Sequence, residues 1–160
     1  MNSLIIHLIV FDMSRGFTSI IWVWDADGET RKIECVNDLG YSLENLALSQ
    51  TQQEECISDC LFCELYIPFL SAYGRFSEEV LLYAPLELQV SLSQISESFD
   101  KLDESEKECW NRDILKRSGW NKIRNLSKKA LLQMEWEELT DYRDYSNTKM
   151  WGGQCPPHRL

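Results

Sequence analysis

FTSIIWVWDADGETRKIEC, residues 17–35, is the stretch whose reading decides the fold. Phe17 to Asp25 is a run of β-branched and aromatic residues, types that suit a pleated, half-buried surface. Asp27-Gly28 follows, a two-residue turn signal of the kind that tolerates positive φ. Glu29 to Cys35 returns as a second strand, with Ile33 and Cys35 on one face and Lys32 and Glu34 on the other. Upstream, SLIIHLIVF (residues 3–11) is apolar on both faces, the pattern of a strand covered on both sides. Together these segments predict an antiparallel β-meander. Leu86 to Leu92 alternates cleanly and is the candidate fourth strand, although Leu92, Ile95, Phe99 and Leu102 also fall at helical spacing.

Downstream the pattern turns helical. TQQEECISDCLFCELYI (residues 51–67) opens with Thr51-x-x-Glu54, the form of a capping box. After Asp59 it is apolar on nearly every side, so the helix is expected to be buried at the centre of the protein and to end or kink at Pro68. Residues 37–42 read as a loop around Gly40, and residues 42–49 as a helical turn. Residues 75–85 fit neither pattern cleanly. Asp103 with Glu106 resembles an N-cap pair for a helix to about Ser118. A last helix over 120–139 aligns Ile123, Leu126, Ala130 and Met134. The expectation is an α+β fold: one domain over residues 1–150 and a flexible tail over 151–160.

At 160 residues and 44% hydrophobic content, the chain is long enough and apolar enough to bury a core. Its formal net charge of −10 disfavours nucleic acid or an anionic membrane as a global partner. The charge is polarised. Residues 1–100 hold 16 acids against 4 bases, and residues 101–160 hold 10 against 12. From Ile33 to Gly74 there is no Lys or Arg at all. Lys116, Arg117, Lys122, Arg124, Lys128 and Lys129 form an acid-free run beside Trp110 and Trp120, read here as a solvated helix face balancing the acidic half.

Leu4 to Phe11 lacks the basic flank of a signal peptide and is too short to span a bilayer, so a cytoplasmic protein with reduced thiols is expected. His7 lies on an apolar strand and His158 in the tail, which supplies little for histidine-based acid–base chemistry. No glycine-rich phosphate loop occurs. Cys56-x-x-x-Cys60-x-x-Cys63 resembles the cluster-binding cysteines of radical S-adenosylmethionine enzymes, which implies a [4Fe–4S] cluster. The same spacing is that of one stripe of a buried helix, and core packing is the reading adopted, with no metal and no cofactor. A zinc site would need a fourth ligand from Cys35, Cys109, Cys155, His7 or His158, which spacing alone does not supply.

In size, acidity and absence of catalytic motifs, the chain resembles the immunity proteins of bacterial contact-dependent growth inhibition (polymorphic toxin) systems. That resemblance implies a non-enzymatic inhibitor of a basic protein toxin, a nuclease above all. The charge map assigns the contact to Asp38, Glu44, Glu54, Glu55, Asp59, Glu78 and Glu79. Glu55 and Asp59 stand at i, i+4 on the expected helix, a like-charge pairing that costs a few tenths of a kcal/mol and suits a surface awaiting a basic partner. The alternatives are an iron–sulfur enzyme and an acidic nucleic-acid mimic that inhibits a DNA-binding enzyme.

Overall fold

Residues 17–35 form two helices, not a hairpin. The computed structural model describes residues 16–139, and no strand occurs among them. The helices are α1 (Phe17–Asp27), α2 (Thr30–Ala47), α3 (Gln50–Cys56), α4 (Leu61–Glu79), α5 (Leu86–Asp100) and α6 (Ser118–Gln133). Short 3₁₀ turns lie at Leu81–Tyr83, Glu104–Glu106, Arg112–Lys116 and Trp136–Leu139. The described residues are therefore all-helical, and the expected α+β class is wrong for them. The expected strand over 3–11 and the tail over 151–160 lie outside the described residues, as do His7, Cys155 and His158.

The physical reason is visible in α1. Phe17, Ile20, Ile21 and Trp24 are all buried, at i, i+3, i+4 and i+7, while Trp22 and Val23 face outward. One helical stripe buries four large side chains, and that burial outweighs the weak helix propensity of Ile, Val, Thr and Trp. Gly28 does supply the positive φ that the sequence called for, at φ 73°. Here it ends a helix: its N–H bonds Asp25 O at 3.2 Å and Glu29 N–H bonds Trp24 O at 2.8 Å. A left-handed residue closes a helix C-terminus as readily as a hairpin, so Asp-Gly marked the right place and the wrong motif.

The central helix is α2, not residues 51–67. Every residue from Cys35 to Leu43 is buried, so the segment read as a loop around Gly40 runs through the middle of the protein. α4 and α6 pack on α2, and α5 packs on α6. Gly40 is a contact point: a Cβ there would lie 2.2 Å from the Trp136 ring, which stands edge-on to Tyr41 at 5.4 Å between centroids. Asp38, although buried, has Arg75 of α4 at 2.7 Å.

α5 likewise takes the helical alternative. Leu88, Leu92, Ile95, Phe99 and Leu102 are buried, while Leu86 and Val90 of the expected strand face are exposed. In α4, Leu61, Leu65, Phe69, Ala72 and Phe76 make a buried stripe that continues straight across Pro68, so packing holds the helix where Pro68 was expected to end it. The last long helix begins at Ser118, close to expectation, and ends at Gln133, short of 139; Ile123, Ala130 and the C-cap Met134 of the expected stripe are fully buried, and Leu126 is half-buried. Asp103 and Glu106 do form a capping box, but on the turn Glu104–Glu106 instead of a long helix.

Candidate functional site

The expected helix over 51–67 is broken, and the break builds a corner. Ser49, not Thr51, caps α3, through a box with Gln52. α3 ends at Cys56, and the chain turns by 96° before α4 begins at Leu61. Arg112, arriving from far along the chain, holds the turn. Its guanidinium donates to Glu54 O at 2.8 Å and Ile57 O at 3.0 Å. These are carbonyls of the end of α3, which lack helical partners of their own. On the other side of the break Cys60 is the N-cap of α4, its Sγ accepting the Cys63 N–H at 3.3 Å.

Cys60 and Cys63 meet Cys109 here. The three sulfurs lie within 4.8 Å of one another, and Cys63 and Cys109, 46 residues apart, are 4.0 Å apart at Sγ. All three are free and half-buried. Burial pushes the Cys60 thiol up, but the hydrogen bonds from Cys109, from the Cys63 amide and thiol and from Phe62 together outweigh it and hold Cys60 below its ordinary value. The hydrogen bond to Cys60 is the main reason that the Cys63 thiol is pushed up to about 12, and it raises Cys109 as well. Cys56 does not join them: it sits on α3 and is disulfide-bonded, against the expectation of reduced thiols. The triplet assembled in the fold is thus not Cys56, Cys60 and Cys63. Only the pair Cys60 and Cys63 was legible from spacing; Cys109 was one of five candidate further ligands, and nothing in the sequence singled it out.

Of the acids singled out from the charge map, Glu54, Glu55 and Asp59 are at this corner. Glu55 and Asp59 are exposed, and neither has an ion pair among the described residues. They do not share one helix, because Asp59 lies in the break, so the expected i, i+4 helical pairing does not form. Glu54 is half-buried and accepts from Gln50 Nε2 at 2.8 Å. Glu64, in the first turn of α4, adds a further exposed acid.

The other acids are elsewhere. The Asp38 carboxyl is raised by burial, against the pull of Arg75 beside it, and it faces that arginine instead of solvent. Glu79 pairs with Arg31 at 2.7 Å. These groups border a recess lined by Arg31, Glu34, Cys35, Arg75 and Glu79. Glu44 is half-buried on α2, and Glu78 is exposed at the far end of α4.

Two aromatics named with the basic run part company. Trp120 is buried, with Nε1 donating to Glu106 O at 2.9 Å. Trp110 is 76% exposed, and residues on either side of it reach the corner: Cys109, adjacent to it, meets Cys63, and Arg112, two residues on, clamps Glu54 and Ile57. Within the basic run Arg124 is not solvated. It is buried, donating to Gln53 Oε1 at 3.1 Å and Leu115 O at 2.9 Å, while Lys116, Arg117, Lys122, Lys128 and Lys129 are exposed. Among the described residues no single helix is long and apolar enough to cross a membrane; α3 and α4 meet that test only as a pair, across their 96° bend. No protein-family model, curated protein or solved structure matches this chain.

Proposed function

We propose that this chain is a non-enzymatic binding protein that neutralises a basic protein through the corner between α3 and α4, in the manner of an immunity protein acting on a nuclease toxin. The observation that carries the reading is Trp110, a tryptophan 76% exposed and tied on both sides to a corner whose acids, Glu55, Asp59 and Glu64, have no cationic partner among the described residues. Protein-binding sites combine exposed aromatic anchors with charged and polar surroundings, and tryptophan is enriched among the residues that dominate such interfaces. Ile67, 57% exposed and one turn beyond Glu64, extends the apolar part along α4. The acids steer a basic partner into encounter, and they meet the Lys and Arg with which a nuclease holds phosphate. Asp38 and Glu79 are taken up by arginines of this chain and drop out of the contact set.

The test is capture of the partner from the native cell, elution by salt and identification, followed by kinetics with the purified pair. One basic protein at equal stoichiometry, inactivated by the complex, is expected. Glu55→Lys with Asp59→Lys should slow association at least tenfold at low salt and flatten its salt dependence. Trp110→Ala should act mainly on dissociation, weakening the complex by about 2 kcal/mol or more. An unchanged on-rate in the charge-reversed variant would remove this face from the interface.

A further inference from the structure

We infer that Cys60, Cys63 and Cys109 bind a single thiophilic metal ion of the zinc class, with a fourth coordination position left open to water or to a partner's side chain.

Three observations converge. The first is distance. Sulfurs bound to one tetrahedral ion at about 2.3 Å lie about 3.8 Å from each other. The Cys63–Cys109 separation of 4.0 Å is already close to that, and the whole triangle closes within 4.8 Å. A four-iron cluster, by contrast, spreads its cysteines over separate irons, so sulfurs this close together suit one ion. The second is the setting. Cys60 caps the N-terminus of a 19-residue helix, and its sulfur already accepts an amide N–H, conditions that favour a thiolate. The third is exposure. The cysteine used for core packing is Cys35, which is buried. The trio is only half-buried, so packing does not account for its convergence, and an ion could reach it.

On binding, each thiol gives its proton to solvent as its sulfur takes the ion, so three thiolates and one divalent ion leave a site of net charge −1. The donor set selects the metal: sulfur ligands exclude the hard ions calcium and magnesium and suit zinc. Three protein ligands and an open position differ from the closed four-ligand arrangement of most structural zinc sites. Structurally, the ion would join the first turn of α4 to the segment 101–117, whose described structure is two short 3₁₀ turns and the loops around them. It would act alongside the Arg112 clamp on the opposite side of the same break. This inference stands whether or not the corner binds a protein.

The experiment uses the full chain under nitrogen, without added reductant, so that the Cys56 disulfide is kept. Cobalt(II) is titrated first, because thiolate-to-cobalt charge transfer in the near ultraviolet reports sulfur ligation directly. One cobalt per chain is expected, displaced by one equivalent of zinc. Cys60→Ser, Cys63→Ser and Cys109→Ser should each weaken binding more than about 100-fold, beyond the loss caused by removing an outer-sphere partner. Cys35→Ser should leave the affinity unchanged. Circular dichroism checks that each variant keeps its helices. X-ray absorption of the zinc-loaded unmodified chain needs no variant at all, and three sulfur neighbours are expected there. Absence of the charge-transfer band, fewer than three sulfurs, equal affinity in Cys109→Ser, or a disulfide between Cys63 and Cys109 formed in place of metal uptake would each overturn the assignment.

Discussion

Arg124 shows how one residue can be misread from charge alone. It sits in a run of cations, yet it is buried at the junction of α2, α3 and α6, where Gln53 completes a polar network by donating to Asn45 O and Leu46 O. Arg124→Ala strands Gln53 Oε1 and Leu115 O without donors and should destabilise the protein by about 2–4 kcal/mol. Lys122→Ala, two residues away and exposed, should change stability by less than about 0.5 kcal/mol, and urea denaturation of both variants checks the contrast. Asp38 carries a pH prediction. Its folded-state pKa is raised, by burial first, so its contribution to stability is fully present below the ordinary aspartate range and is lost as pH rises through the folded value. Asp38→Asn does not titrate. Its stability relative to the unmodified chain should therefore improve as pH rises from below the ordinary aspartate range to neutrality, and a constant difference across that window would mean that Arg75 fully offsets the burial.

At the scale of elements, the helices are decided by which stripe finds a partner. In α1 and α5 the buried residues recur at helical intervals, and that repeat was present in the sequence beneath a local β-branched or alternating pattern. Two glycines inside helices separate packing from propensity. Gly40 of α2 has the Trp136 ring where a Cβ would sit, whereas Gly74 of α4 has nothing within 4 Å. Gly40→Ala should cost about 1–3 kcal/mol through overpacking. Gly74→Ala should stabilise α4 by about 0.5–1 kcal/mol through propensity alone. Thermal melts of the two variants should move in opposite directions. A stable Gly40→Ala variant would mean that Trp136 can move aside.

The whole molecule carries −10, with its cations concentrated after residue 100. Among the described residues Glu55, Asp59, Glu64 and Glu78 have no ion-pair partner, so like-charge repulsion at these positions is not offset by pairing. Screening that repulsion should raise the melting temperature between about 10 mM and about 150 mM sodium chloride, where the Debye length shrinks from about 30 Å to about 8 Å. A fall over the same range would assign the larger share to attractive pairs such as Arg75–Asp38. The same screening should slow encounter with a basic partner, which keeps the stability and binding readouts distinct.

By itself the sequence determined what depends on neighbours along the chain. The left-handed turn at Gly28, the capping box of Asp103 and Glu106, the buried stripe of the last helix and the polarised charge are local or compositional, and they were legible. The helical state of residues 17–41 was not, because strand and helix readings of FTSIIWVW differ only in which face a partner covers, and α2 supplies that partner to α1 as α4 and α6 do to α2. The same holds for the site. Asp38 reads as a free acid until Arg75 is folded against it, and Cys60 and Cys63 read as a helix stripe until Cys109 arrives from 46 residues beyond Cys63. Contacts between distant segments have no period along the chain, so only the packed structure decides them.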